Sequence, residues 1–473
     1  MTKSKKALGF LLAAALVVVM VACAGPGGGG GATTAPAAGD GGGGTTATPT
    51  VPPADAERDQ VTVVFWDMVT GTDRYPVAAA EHALLITNDL PHITLEYQSI
   101  PWANRLEMFT TALAAGTGPD FSNGGGYQSF QFYAMGEIMD ITPIIDWWRE
   151  DGTLALYDYA MIEYFRVGSS QVGIPIGFEP RMWIYRRDWF EAAGKTAPTT
   201  WEELFEAAVY FTDVEAGIYG LTFPAAGSGG NVLFFSWLAA NNGGVWTADG
   251  SYPDWAKPEN VEAVEFIRRL NDAGTLPPGM SAYDGPEMIQ AAVNDTTAMG
   301  IITAGGAGAD IARTHYGQFA FMSAPAGPSA NGRQGSIMSM NGYMAYSNTD
   351  HPLETMEALA WWATNFDQLI YNPELGISSI PPRSDWQTDS RFLDTMGDLF
   401  LRDFVVDGHM AYVHTLVSPA PNISCWLTQN AFDAERWWTR LSQAILVTDT
   451  PALQLLEEIQ AEAMSTFNDF QGR

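Results

Sequence analysis

Val61-Thr62-Val63-Val64-Phe65-Trp66 runs directly into Asp67-Met68-Val69-Thr70-Gly71-Thr72. Six consecutive β-branched or aromatic residues read as a strand buried on both faces, and the glycine-ended stretch after them reads as a loop. Outward from this strand, helical periodicity occupies 76–86, a second strand 92–98 and a second helix 102–115. Gly116-Thr117-Gly118-Pro119 then stops the helix. Strand–helix–strand–helix order predicts an α/β fold with a mainly parallel sheet. Ligands in such sheets sit at the carboxyl ends of the strands, which singles out the loops at 66–70 and 121–128.

A second α/β region begins near Ile174. A strand is expected at 182–185 and another at 298–303, with helices at 258–270, 350–365 and 452–470. Thr200-Trp201-Glu202-Glu203 fits a capping box, with Thr200 at the N-cap and Glu203 at the third helical position. No repeat of 20–50 residues is visible in the chain.

The N-terminal residues have a different character. Residues 1–6 are short and basic, and 7–22 carry no charge, which is the pattern of an export signal too short to span a membrane comfortably. The stretch closes on Met20-Val21-Ala22-Cys23, which resembles a bacterial lipobox with Cys23 as the lipidated residue; Met20 stands where that pattern prefers Leu. Residues 24–59 are almost wholly Gly, Ala, Thr and Pro, unable to bury enough apolar surface to fold. As a random coil they would reach roughly 30–36 Å. The expected organisation is therefore a signal peptide (1–22), a lipid-anchor Cys with its linker (23–59) and a globular body. No later stretch is long and apolar enough to cross a membrane, so the body is expected to stand outside it, anchored only by lipid.

Composition narrows the functions open to the body. The 473 residues carry 54 acidic against 23 basic side chains, a formal charge of −31. Lys195 and Lys257 are the only lysines after residue 6. Such a surface repels phosphate backbones, so nucleic acid is not an expected partner. Cys23 and Cys425 are the only cysteines; they make neither a disulfide framework nor a cysteine-rich zinc site, and Cys425 reads as a buried thiol. A hydrophobic share of 47% supplies ample material for cores, and the length suits two or three folding units.

Catalytic motifs fail on inspection. Gly194-Lys195-Thr196 looks like the end of a phosphate-binding loop, but the glycine required five residues before Gly194 is replaced by Trp189. His409 and His414 are five apart, off the spacing of a zinc-binding helix, and no serine sits in a G-x-S-x-G elbow. Nothing places two carboxylates in one site for glycoside cleavage. A non-enzymatic protein without metal or cofactor is expected.

Several segments, in order along the body, resemble the family 1 extracellular solute-binding proteins, the maltose-binding-like receptors of ABC importers. Phe65-Trp66 with the loop to Gly71 is similar to the family's first strand and ligand loop. Ala114-Ala115-Gly116-Thr117-Gly118-Pro119-Asp120-Phe121 is similar to its AAGTAPDV segment. Gly173-Ile174-Pro175-Ile176 through Tyr185-Arg186-Arg187-Asp188-Trp189-Phe190 is similar to its crossover, and Pro198-Thr199-Thr200-Trp201-Glu202-Glu203-Leu204 to its PPKTWDEL segment. Asn242-Gly243-Gly244, Ala298-Met299-Gly300 and Ile380-Pro381-Pro382-Arg383 match later family segments. The resemblance implies a type II periplasmic-binding-protein-like fold: two α/β lobes, 60–175 with 342–378 and 176–338 with 380–473, joined by strand crossovers and closing on a solute.

The resemblance also nominates ligand-binding residues. A sugar needs aromatic platforms for its C–H faces and carboxylates, amides or guanidinium groups for its hydroxyls. Trp66 and Asp67 stand where the first strand opens; Asn123 and Tyr127 lie in the glycine-rich loop. Glu179 occupies the position of a sugar-contacting carboxylate in the maltose-binding relative, and Arg181 and Trp183 share its strand parity. Trp237 precedes Asn242-Gly243-Gly244, Asn341 and Tyr343 lie on the return crossover, and Arg383 lies near the third. Many sugar-binding relatives place a Trp after the 298–303 strand, where this chain reads Ala304-Gly305-Gly306-Ala307-Gly308. The implied protein is a monomeric receptor for a small solute, a sugar or oligosaccharide first and a polyamine or other cation as the alternative. It would serve ABC permease subunits, or else a signalling partner.

Overall fold

The computed structural model describes residues 58–101, 105–125, 128–226, 229–247, 251–303, 317–330, 338–375, 379–398 and 437–471, with Ile311, His315 and Thr428. The ten strands it defines are β1 (Val61–Met68), β2 (Ile93–Ile100), β3 (Phe121–Gly125), β4 (Arg166–Val167), β5 (Ser170–Gln171), β6 (Ile174–Arg186), β7 (Tyr219–Thr222), β8 (Thr297–Thr303), β9 (Phe319–Met322) and β10 (Met338–Ala345).

The first strand forms as its composition dictates. β1 pairs in parallel with β2 along its whole length, from Val61↔Ile93 to Met68↔Ile100, and with β3 at Phe65↔Phe121 and Trp66↔Ser122. Side chains alternate between faces. Phe65 stacks on Phe121 with ring centroids 4.3 Å apart and meets Trp362 edge-on at 4.8 Å, while Trp66 points the other way onto Phe109 at 5.2 Å. The two helices flanking this sheet, Tyr75–Ala83 and Arg105–Ala114, fall where the periodicity predicts. Gly116, at φ +67°, adopts the left-handed conformation that closes the second of them.

β6 is the strand on which the architecture turns. Its first half pairs antiparallel with β10, from Tyr343↔Ile174 to Met338↔Pro180, and its second half pairs antiparallel with β8, from Arg181↔Thr303 to Tyr185↔Met299, and with β9. The strand order β2-β1-β3-β10-β6-β8-β7 therefore contains two halves that share β6. A third passage lies alongside at Ser379–Ile380, where Phe178 N donates to Ile380 O at 3.0 Å and Ile380 N to Phe178 O at 2.9 Å.

One detail departs from the sequence reading. The capping box forms at Thr200, whose hydroxyl accepts from Glu203 N at 3.3 Å, but the Glu203 carboxylate reaches one residue further, accepting from Thr199 N and Oγ1 at 2.7 Å each. Residues 382–391, just past the third passage, make contacts with the first half. Asp158 N donates to Pro382 O, Ser384 Oγ donates to Leu156 O, and the Arg391 guanidinium lies 4.0 Å over the Tyr371 ring. The C-terminal helix Ala452–Gln471 does join the second half, with Gln460 Oε1 accepting from Trp255 N and Ala256 N.

Candidate functional site

At the end of β1, adjacent side chains part. Asp67 is fully buried; its Oδ2 accepts from Tyr75 Oη at 2.7 Å and Tyr97 Oη at 3.1 Å, while Oδ1 has no partner. Burial pushes its carboxyl up to about 7, against the two hydroxyl donors that favour the charged form. Trp66 is half-buried and forms part of an open cavity of about 380 Å³ shared with Glu107, Met108, Thr111, Ala112, Ala115 and Thr117. The two residues that sequence placed at one ligand loop thus face opposite sides of the sheet.

Asn123 extends the ladder between β1 and β3 with its side chain. Its Oδ1 accepts from Met68 N, at 2.5 Å, and its Nδ2 donates to Met68 O at 3.3 Å, as a backbone amide would. Tyr343, opposite Asn123 in the register, is buried, and its hydroxyl accepts from Trp362 Nε1 at 2.9 Å. Burial raises that phenol well above its ordinary range, aided by the nearby Asp67 charge. Tyr127 lies outside the described residues, as do Cys23 and the glycine-rich run 304–308.

The polar cluster sits instead where the crossovers meet. Asn341 on β10 faces Gly125 of β3 on one side and Gly177 of β6 on the other. Neither glycine brings a side chain, so half-buried Asn341 stands between two bare backbone positions. Glu179, two residues along β6 from Gly177, shares that face and keeps 26% of its side chain exposed. Ser379 Oγ donates to Glu179 Oε1 at 3.3 Å, and Arg181 Nη1 lies 3.9 Å from Oε2. Burial lowers the pKa of the Arg181 guanidinium, partly offset by Glu179. β6 thus puts Glu179, with Arg181 next to it, on the face that Asn341 shares, and the third passage adds Ser379, which the sequence reading did not single out.

Trp237 and Arg383 make other contacts. Trp237 is fully buried and meets Trp183, Trp201, Phe223 and Phe266 with centroids 4.9 to 5.9 Å apart. Arg383 pairs with Asp385 through Nε at 3.0 Å and Nη2 at 2.7 Å and lies over Trp386 at 4.3 Å. Two further residues carry an unexpected feature. Gln128 and Ser129, just past β3, are buried, and among the described residues neither amide atom of Gln128 nor the Ser129 hydroxyl has a hydrogen-bond partner. The available signal was polarity: they follow a glycine-rich run at a strand's carboxyl end.

The model of the bacterial extracellular solute-binding proteins matches residues 70–368. The chain belongs to that family. This solute-binding protein is 26% identical to a binding protein of Brucella abortus (strain 2308) over 231 residues, 49% of this chain and 54% of the relative. It therefore spans about half the length of the curated relative it matches. Among solved structures, a sugar transporter from Arthrobacter chlorophenolicus A6 with bound laminaribiose aligns at 25% identity and a TM-score of 0.73, covering 86% of this chain and 99% of that one. An ABC transporter solute-binding protein from Agrobacterium radiobacter K84, in complex with ribitol, aligns at 19% identity and a TM-score of 0.67 over 86% and 99%. The solute-binding protein thus has the two-lobed α/β fold expected from its sequence.

Proposed function

We propose that this protein captures a sugar or oligosaccharide between its lobes, without turning it over, and delivers it to the membrane subunits of an ABC importer. The observation that carries this reading is the face shared by Asn341, Glu179 and Ser379, where all three chain passages meet between bare Gly125 and Gly177. An amide, a carboxylate and a hydroxyl suit the hydroxyl edge of a saccharide. Residues on passages that join two lobes feel any change in lobe angle, so a solute bridging them shifts an open–closed equilibrium. The sugar and polyol in the related structures support the solute class. A cationic solute is less well served: Asp67 is sealed in the interior, and Glu179 already has Arg181 beside it.

The contacts of 380–391 support a division in which the first lobe takes in these residues and the second lobe resumes with the C-terminal helices. In this proposal Cys23 carries the lipid, and residues 24–59 form a tether to the outer face of the cell membrane. Labelling cells with a radioactive fatty acid should mark the parent chain and not Cys23→Ala; equal labelling would remove the anchor.

A thermal-shift screen against laminaribiose, maltose, ribitol and spermidine tests the solute class. A solute present at 100 times its Kd should add about 2.7 kcal/mol of stability. Glu179→Ala should remove the shift. A shift from spermidine alone would overturn the saccharide reading in favour of a polyamine.

A further inference from the structure

The stretch 24–59 carries a single basic side chain, Arg58, three residues before β1. Its guanidinium is turned inward. Nη1 donates to Glu357 Oε1 and Nη2 to Glu354 Oε1, each at 2.7 Å, across 299 and 296 residues of sequence. Both acids stand on the helix Pro352–Asn365, three positions apart and so on one face, where one planar guanidinium can span them. The Arg58 side chain is 15% exposed and that of Glu357 only 6%. The second oxygen of Glu357 meets His92 Nε2 at 3.2 Å. A carboxylate this enclosed is costly to leave without its cation, which holds Arg58 in place. The chain then runs on without slack: Gln60 Nε2 donates to Pro91 O and Val61 N to His92 O, both at 2.9 Å. All of this lies at the amino end of β1, opposite the carboxyl end at which α/β sheets receive ligands.

We propose that Arg58 is a latch that roots the tether on the first lobe, at the pole away from the solute. The inference rests on the tether proposed above and adds where it is fastened. Fastened there, a pull along the residues before 58 passes into one helix and β1 of a single lobe. It does not cross the passages at Gly177, Asn341 and Ser379, which feel any change in lobe angle. Anchoring and lobe closure then act on separate parts of the chain. A tether fastened on one of the passages would instead load the open–closed equilibrium with every pull.

Trypsin reads the latch directly. In the full chain its sites up to residue 74 are Lys3, Lys5, Lys6, Arg58 and Arg74, and the exposed Arg74 serves as an internal reference. Cleavage after Arg58 requires the segment to leave its seat, so the rate follows the fraction unlatched. Relative to the cut after Arg74, the cut after Arg58 should be about tenfold faster in Glu354→Gln. It should be up to about a hundredfold faster when Glu357→Gln is added, as one and then two charge-assisted hydrogen bonds weaken. An unchanged ratio in both proteins would overturn the latch. Equal acceleration after Arg58 and Arg74, with earlier melting of Glu354→Gln, would also overturn it, because the pair would then support the whole body. The cuts are read by mass and need neither lipid nor solute. A parent chain that takes no fatty-acid label would therefore remove the membrane anchor, while the trypsin ratio still decides the latch.

Discussion

The Tyr75 hydroxyl donates a 2.7 Å hydrogen bond to Oδ2 of Asp67, and neither side chain reaches solvent. The carboxyl, normally near 3.8, is pushed up to about 7 by burial. The titratable groups facing it are Tyr75 beside β1, Tyr97 on β2 and Tyr343 on β10, whose phenols are all shifted upward and stay neutral. A raised acid binds its proton more tightly in the folded state than in the unfolded chain. Its contribution is complete below about pH 4 and is lost as the pH rises through about 7. The loss amounts to about 4 kcal/mol at most. The parent protein should therefore lose stability between pH 4 and 7 relative to Asp67→Asn, measured as the difference between their melting temperatures across that range. Parallel profiles would show that Asp67 does not carry the proton.

Asn123 makes a different kind of commitment, completing the ladder at Met68 from a side chain. Asn123→Ala leaves Met68 N without its side-chain acceptor and Met68 O with the Thr70 hydroxyl at 3.0 Å, at a cost of about 1–3 kcal/mol in urea unfolding. Asn123→Asp keeps an acceptor for Met68 N but turns a carboxylate oxygen toward Met68 O. It should be more damaging at neutral pH than at pH 4. A loss under about 0.5 kcal/mol in Asn123→Ala would mean that water replaces the side chain.

These two residues mark where the sequence stopped being informative. The composition of 61–66 was enough for a buried strand, and the spacing around Thr200 was enough for a helix start, because both depend on neighbours in the chain. That Asp67 turns inward depends on Tyr75 and Tyr97, eight and thirty residues away, and on the alternation that sends Trp66 to the other face. That Glu179 lies on a crossover strand was legible in the sequence. That Ser379 meets it was not, because the contact arises only when the third passage is laid beside β6. For Trp237 the sequence left both roles open, because aromatic content alone does not distinguish a sugar-binding ring from a core ring.

The packing around Trp237 makes that distinction measurable. Its ring lies among four other aromatics in the second half. Trp237→Ala should cost about 3–5 kcal/mol of stability, as large aromatic truncations in a core do. Trp237→Phe should retain most of the packing and leave the solute Kd within about twofold. A selective loss of affinity in the phenylalanine variant, with melting unchanged, would place Trp237 in the binding site.

At Gly177 the 379–380 passage packs directly against β6. A Cβ there would stand 2.9 Å from the Ile380 carbonyl oxygen and 3.1 Å from Ser379 Cβ. The first of these is backbone, which cannot swing aside as a side-chain tip can. Gly177→Ala must therefore push the 379–380 passage away from β6, lengthening the Phe178–Ile380 pair and drawing Ser379 from Glu179. The expected cost is about 1–3 kcal/mol of stability. Ser379→Ala separates the two effects: it removes only the bond to Glu179, which is partly exposed, and should change stability by less than about 1 kcal/mol. If Glu179 must be oriented to meet the solute, both variants should weaken binding, with Gly177→Ala also melting earlier. Unchanged affinity in Ser379→Ala, measured by titration with the solute that the screen identifies, would show that Glu179 holds its position without the serine.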